Sequence, residues 1–430
     1  MAEVGQEGTS DDFSVFVEVK EKIHAAHIVL GLQDVAEKCK EDASKITVTV
    51  QPDSIEVNLV KDKKRQFKVP NISLVPNSCH SLQWIPGEGL HMRVQTRSDD
   101  TNHSQPIEHN DVKNYRHEIE YLESENCQLS CRVCNTTLLR PNCQFERVLP
   151  LPSENWQELV DDWCCHHNDT TEKMKKASMV PRATDCFISD LYLSLNMAAL
   201  RQDKIASQES TLETELKEGM NMVIICQVCR CPLGEAKLTD VKKRHQHIQE
   251  LTESVKFYKH CINLNKNSLP LDVFKSYTLE SYFARYITTQ SSVNTSYKFI
   301  LEGQDTATNN SILIWLMNTD SKIMMNVNSI SQHAELSKLM GSINYERNGT
   351  GVKKSLQTYS IIKLFYQAVW DEANRSVLDQ WKKDNTVHRL YLPSYLCHQL
   401  LLLLINNTQH LPKSMRNTEN NFQVGFLKIK

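Results

Sequence analysis

The sequence predicts an α+β protein, and three observations carry that expectation. Period-two alternation dominates the first hundred residues, two Cys-x-x-Cys pairs occupy the middle, and strand-like and helix-like runs mix beyond residue 263. The implied organisation is an antiparallel β region over 1–96, a zinc-knuckle β domain with polar insertions over 97–262, and an α+β C-terminal domain over 263–430. The β-rich N-terminal part would thus be held by a four-cysteine zinc clamp and followed by a mixed α+β domain.

The N-terminal strands come first. Phe13 to Val19, Ile46 to Val50, Ile55 to Leu59 and Leu90 to Val94 alternate apolar with polar side chains, the pattern of half-buried strands. Pro52-Asp53-Ser54 and Pro86-Gly87-Glu88-Gly89 stand where turns are needed, because proline presets φ and glycine tolerates positive φ. From Arg97 to Asn126 the chain is polar with little periodicity, which predicts a loop or insert. Ser153 is a natural N-cap for a helix whose Trp156, Leu159, Val160 and Trp163 fall on one face. Polar runs over Asn168 to Pro181 and Arg201 to Gly219 flank a strand-like segment from Cys186 to Leu195. Ser254 to Ile262 alternates as a strand, and Leu269 to Ile287 carries Val273, Tyr277, Phe283 and Ile287 near helical spacing. Beyond it, strands are expected over Tyr297 to Leu301, Ser311 to Met317 and Tyr359 to Phe365, with helices over Glu372 to Lys383 and Ser394 to Ile405. A last strand falls within Asn421 to Lys430.

Composition narrows the partners. The 430 residues are 40% hydrophobic and 23% charged with a net charge of −3, an ordinary globular balance with no global pull toward nucleic acid or an anionic membrane. The short basic tract from Lys242 to His247 lacks interleaved aromatics, so it is read as a solvated surface. Leu400 to Ile405 is too short to span a bilayer, and the N-terminal residues resemble neither a signal nor a transit peptide. The expected compartment is the cytoplasm, with the nucleus as a second location. There the 14 cysteines are expected to be reduced, buried or metal-bound.

Cys131-Arg132-Val133-Cys134 and Cys226-Gln227-Val228-Cys229 share their spacing and their apolar flanks. Two residues between paired thiols let a tight turn aim both sulfurs at one ion, and two such knuckles supply a closed tetrahedral site. One structural zinc per chain is therefore expected on Cys131, Cys134, Cys226 and Cys229, with Cys127, Cys143 and Cys231 near enough in sequence to substitute. Such a site leaves no position for water and argues for architecture over hydrolysis. Phosphate-loop, nucleophile-elbow and zinc-protease motifs are missing from the sequence.

The block from Leu149-Pro150-Leu151-Pro152-Ser153-Glu154-Asn155-Trp156 to Trp163-Cys164-Cys165-His166, with the two knuckles around it, resembles the HECT-like ubiquitin ligases that bind a ubiquitin-conjugating enzyme. Gly303-Gln304-Asp305, Ile314 to Asn318, Leu392-Pro393-Ser394 and Phe422 to Lys428 are similar to the same family, so the resemblance spans nearly the whole chain. It implies a ubiquitin-protein ligase with a conjugating enzyme and ubiquitin as partners, and a link to the pre-mRNA 3′-end cleavage machinery. Leu392-Pro393-Ser394-Tyr395-Leu396-Cys397 is similar to the HECT motif Leu-Pro-x-Ala-x-Thr-Cys, which makes Cys397 the candidate thioester nucleophile. Were Ser394 to cap the next helix, Cys397 would lie in its first turn, where amide dipoles favour a thiolate and His398 adds positive charge. The competing reading is a buried structural cysteine, since Leu396 replaces the family threonine and an apolar run follows. Phe426 resembles the near-terminal HECT phenylalanine. Phe283 and Tyr286, on the aromatic face of the Leu269 to Ile287 helix, would dock the conjugating enzyme.

A second function of another class is a non-catalytic zinc-containing binding module. Adjacent thiols and an imidazole are good soft-metal ligands, so Trp163, Cys164, Cys165 and His166 would engage a partner. Given the family link, that partner is the zinc-dependent endonuclease of 3′-end cleavage, inhibited when its hydrolytic water is displaced.

Overall fold

The computed structural model of the chain describes residues 13–32, 46–58, 64–97, 115–124, 127–151, 180–208, 221–239, 252–266, 272–304, 311–326, 356–370 and 374–429. Strands β1 (Phe13–Lys20) and β2 (Ala25–Leu32) form a hairpin in full register, Phe13 opposite Leu32 and Lys20 opposite Ala25. Three short strands, β3 (Thr47–Val50), β4 (Ser54–Asn58) and β5 (Lys64–Lys68), make a small antiparallel sheet of their own. After β6 (Ser73–Leu74), strands β7 (His80–Ile85) and β8 (Gly89–Arg97) turn through Pro86 to Gly89 as the sequence predicts. Both glycines there take positive φ, 80° at Gly87 and 122° at Gly89, and a Cβ on Gly89 would overlap the Leu30 carbonyl.

The middle of the chain contributes α1 (Arg116–Leu122), β9 (Cys127–Cys131), β10 (Arg147–Pro150), β11 (Asp185–Ile188), β12 (Tyr192–Asn196), β13 (Ile205–Ser207), β14 (Asn221–Cys226), β15 (Pro232–Lys237), β16 (Ser254–Tyr258) and β17 (Ile262–Lys266). The last third contributes α2 (Leu279–Asn294), β18 (Lys298–Gly303), β19 (Ser311–Asn326), β20 (Leu356–Val369), α3 (Arg375–Lys383), β21 (Val387–Leu392), α4 (Ser394–Gln409) and β22 (Gln423–Lys428). The α+β class expected from the sequence therefore holds. Among the described residues these strands assemble into sheets of ten, seven, three and two.

The ten-stranded sheet depends on β19, a long strand with register shifts between Leu316 and Ser321. Its first half pairs with β18 and its second half with β1, while β20 runs along its whole length and carries the register shifts. The N-terminal hairpin and the C-terminal strands thus lie in one sheet, and β17 reaches back to pair with β9. The first and last of the three expected regions thus share the ten-stranded sheet, while β9 to β17 between them form the seven- and two-stranded sheets.

Helix α2 sits at the junction of the ten- and seven-stranded sheets. Tyr282, Phe283 and Tyr286 share a buried cluster with Tyr192 and Tyr258 from the seven-stranded sheet and with Ile314, Ile362 and Leu364 from the ten-stranded one. Burial on nearly every side explains why this helix lacks a clean polar face. The expected helix over Leu269 to Ile287 needs correction at both ends. It starts at Leu279, where Thr278 and Ser281 form a capping box with Ser281 N donating to Thr278 Oγ1 at 3.1 Å, and it runs on to Asn294. Upstream, Asp272 Oδ1 accepts from Phe274 N at 2.9 Å and from Leu264 N at 3.0 Å, a side-chain turn that competes with helix.

Three other expectations are revised. Cys186 to Leu195 is two strands, β11 and β12, because the Ser189 hydroxyl accepts from both Leu191 N and Tyr192 N and folds the chain back. Ser254 to Ile262 is broken by a 3-10 turn over Lys259 to Cys261. The polar stretches from Arg97 to Asn126 and from Arg201 to Gly219 contain α1 and β13, both short and weakly periodic.

A metal clamp and a cysteine at a helix N-terminus

The two knuckles are built alike. In the first, Cys131 ends β9, Asn135 N donates to Cys131 O at 2.9 Å, and Cys131 N donates to Thr136 O at 2.9 Å. In the second, Cys226 ends β14, Arg230 N donates to Cys226 O and Cys226 N donates to Cys231 O, both at 2.9 Å. The residue after each second cysteine takes a left-handed φ, 56° at Asn135 and 62° at Arg230. A strand end followed by this turn aims both thiols to the same side.

The four sulfurs converge. Cys131 Sγ lies 3.6 Å from Cys229 Sγ and Cys134 Sγ lies 3.6 Å from Cys226 Sγ, with all four within 4.8 Å of one another. The edge of a tetrahedron with metal–sulfur bonds of about 2.3 Å is about 3.8 Å, so the set fits one ion. Burial pushes the thiols of Cys131, Cys226 and Cys229 up. Burial also acts on Cys134, but hydrogen bonds from the Thr136 hydroxyl and amide and from the neighbouring thiols overcome it and bring that thiol down to about 6. Metal binding by these thiols would accordingly be coupled to proton release. Cys231 closes the second knuckle through its carbonyl, and Cys127 and Cys143 belong to the hydrophobic cluster behind the clamp.

A buried polar hub lies behind the first knuckle. Arg132, between its two cysteines, places Nη1 2.8 Å from Tyr277 O and Nη2 2.6, 3.0 and 3.2 Å from the carbonyls of Phe274, Ile262 and Lys259. Lys259, fully buried, donates to Glu118 Oε2 at 2.5 Å and lies against the rings of Tyr115, Phe274 and Tyr277. The Tyr277 hydroxyl donates to the other oxygen of Glu118 at 2.5 Å. Burial lowers the Lys259 pKa even with Glu118 beside it. These residues carry no motif. The only available signal was an arginine placed inside a Cys-x-x-Cys.

Cys397 lies in the first turn of α4. The capping position is Pro393 rather than Ser394, with Leu396 N and Cys397 N donating to Pro393 O at 2.9 and 3.3 Å. The thiol is half-buried, with Sγ 3.9 Å from Leu392 O. It lines a shallow pocket, open to solvent, together with Gly303, Ile312, Trp370, Ser394, His398 and Leu401. A Cβ on Gly303 would overlap the Ser394 hydroxyl, so the glycine lets the end of β18 approach the start of α4. Trp370 stands 58% exposed at the rim. His398 Nδ1 lies 2.8 Å from Ser394 O, which holds the ring against its own helix.

The remaining predicted residues fare differently. Phe283 is fully buried and Tyr286 is 8% exposed, so the docking role expected for them is corrected: the aromatic face of α2 packs the core. Burying such a ring contributes about 1.5–3 kcal/mol, which explains its use there. Phe426 is likewise buried, in β22 against Phe16 and Ile361. Trp163, Cys164, Cys165 and His166, the helix expected to precede them and the Lys242 to His247 tract lie outside the described residues.

The sequence from 18 to 424 matches the model of the HECT-like ubiquitin-conjugating enzyme (E2)-binding family, and the chain belongs to that family. The resemblance carried by the Trp163 to His166 block and the knuckles is thereby confirmed. Among curated proteins the chain is similar to E3 ubiquitin-protein ligase E3D of Mus musculus, 31% identical over 416 residues that cover 96% of this chain and 98% of that one. The Homo sapiens protein of the same name is 28% identical over 424 residues, with the same coverage of both chains. No solved structure matches the chain.

Proposed function

We propose that the chain is a ubiquitin-protein ligase that takes ubiquitin from a conjugating enzyme as a thioester on Cys397 and passes it to substrate lysines. The observation that carries this reading is the position of Cys397 in the first turn of α4, lining a solvent-open pocket. Amide N–H groups at a helix start favour an anionic sulfur. In the first step the Cys397 thiolate attacks the thioester carbonyl, a new sulfur–carbon bond forms, and the conjugating enzyme's sulfur leaves as thiolate. In the second a lysine amine attacks the new thioester, an amide forms, the amine's surplus proton passes to solvent, and the Cys397 thiolate is regenerated.

The clamp has another task in this proposal. Zinc, held by Cys131, Cys134, Cys226 and Cys229, would tie β9 to β14 and leave no open coordination place for water, a structural role. The donor set favours it, since four thiolates at tetrahedral separations suit a metal with soft-ligand affinity.

Incubation of the purified chain with ubiquitin, activating enzyme and conjugating enzyme is expected to give a ubiquitin adduct that thiol reductants cleave and that Cys397→Ala abolishes. An adduct that persists in Cys397→Ala would remove this cysteine from the mechanism. Absence of any adduct, with conjugating-enzyme binding retained, would leave the non-catalytic binding module as the reading.

A further inference from the structure

We propose that Arg132 couples the metal clamp to the seating of helix α2, so that metal occupancy is felt at the junction of the two large sheets. The inference rests on the reading of the four cysteines as a metal site and goes beyond it. Its basis is the position of one guanidinium. Arg132 lies between two of the four clustered cysteines, and its backbone N donates to Cys261 O at 3.0 Å, so its side chain starts from backbone shared by the knuckle turn and the Lys259–Cys261 turn. The side chain then reaches carbonyls on two separate stretches, Lys259 and Ile262 on one, Phe274 and Tyr277 on the other.

The second stretch leads directly into α2. Asp272 carries its carboxylate 3.4 Å from Arg132 Nη2 and uses its other oxygen for the amides of Leu264 and Phe274. Thr278, one residue past Tyr277, is the N-cap of α2. Phe274 O also accepts from Tyr277 N at 2.9 Å, but the carbonyls of Lys259, Ile262 and Tyr277 would each lose a donor without the guanidinium. The guanidinium is therefore one of the groups that shape 272–278, beside Val273 N donating to Leu264 O at 3.0 Å and the Asp272 side-chain bonds, and its loss should loosen the segment.

Coupling of this kind is reciprocal. If the metal fixes the knuckle and the knuckle fixes Arg132, removing the metal loosens 272–278, and removing the guanidinium loosens the metal. The contacts continue past the cap, because Glu280 Oε1 in the first turn of α2 accepts from Asn407 Nδ2 on α4 at 2.8 Å. Arg132 is a positioning residue in this scheme and touches no reacting group.

The test is amide hydrogen exchange on the full chain, with metal content measured on the same samples by elemental analysis. Chelation of the parent is expected to speed exchange in peptides reporting 272–278 by at least about tenfold more than in peptides from β2 and β8, the scale at which outer-shell partners act on metal sites. Arg132→Lys keeps the charge and loses the planar fork. This variant is expected to release metal to a colorimetric chelator about 10-fold faster, a typical outer-shell effect. Its 272–278 exchange should be fast before chelation and should change little afterwards. Asp272→Asn, which spares the four carbonyl contacts, should shift both readouts in the same direction by less. A parent whose metal is gone while 272–278 stays protected would overturn the coupling, as would a uniform rise across the chain or an Arg132→Lys variant that responds like the parent. Elemental analysis that finds no metal on the purified chain would sink the metal reading first, and the coupling with it.

Discussion

The chain holds two contrasting cysteine environments, and they are built on opposite principles. At the clamp, four sulfurs within 4.8 Å are presented by two turns of the same design, at separations that would suit one ion. At the start of α4, one half-buried sulfur lines a pocket beside an exposed tryptophan, and among the described residues no second thiol lines that pocket with it. Convergent thiols are architecture, since removing one leaves the others without a purpose. A single half-buried thiol at a helix start, lining a pocket, suits the nucleophile role proposed for it. Oxygen for sulfur, the smallest change at either place, should therefore have opposite consequences.

The largest effect is expected at the clamp. Cys131→Ser replaces a fully buried ligand, and loss of a metal site belongs to the few mechanisms that cost more than about 4 kcal/mol. For units of this size that lowers Tm by about 10 °C or more, which calorimetry would read together with a loss of bound metal. A Cys131→Ser chain with unchanged Tm would break the contrast between the two sites.

Next comes the polar hub behind the clamp. Glu118→Ala leaves the Lys259 ammonium buried without its carboxylate, and removing one partner of a buried pair costs about 3–5 kcal/mol. Denaturant melts should show the drop. A companion change of Lys259→Met in the same chain should recover a large part of it, because the pair together is worth far less than a stranded charge.

A third effect is set by pH. His260 is 7% exposed, and burial lowers its pKa to about 3, with the Arg132 charge adding to that. In the unfolded chain the same ring protonates near 6.5, so between pH 6.5 and about 3 the unfolded state binds the extra proton and stability falls as pH falls. Lowering pH from about 7 to about 5 should cost about 2 kcal/mol through this residue alone. His260→Phe should flatten the stability profile over that interval, and a slope identical to the parent's would show that another group carries it.

Legibility in the sequence followed the range of the interactions. The clamp was readable because both knuckles are local turns, each closed by neighbouring backbone groups, and only their meeting is tertiary. Strand alternation was readable for the same reason in β1, β4 and β8. The start of α2 was misplaced because helical spacing from Val273 to Tyr277 was overridden by Asp272 and by Arg132, which lies far away in sequence. Phe283 and Tyr286 read as anchors because sequence gives a face and not what covers it. Strand β21, which brings Leu392 beside Gly303 in parallel register, alternates only over Arg389 to Leu392, too short a run to mark a strand, so Cys397 was singled out only from family resemblance.

The smallest expected effect on folding falls on Cys397→Ser, and it is the most informative about chemistry. The thiol approaches Leu392 O only weakly, at 3.9 Å, and lies half-buried at the edge of the core beside open solvent, so this near-isosteric substitution should change stability by about 1 kcal/mol or less. An alkoxide is harder to form than a thiolate, and transfer should slow accordingly, but an ester once made would lack the lability of a thioester. Charging reactions on the serine variant are therefore expected to accumulate a ubiquitin adduct that survives reducing agent and is cleaved by mild alkali. Mass spectrometry of that adduct should place ubiquitin's C-terminus on residue 397. An adduct on the serine variant that reducing agent still cleaves would mean that another cysteine accepts ubiquitin, and the comparison between the two cysteine sites would then have to be redrawn around that residue.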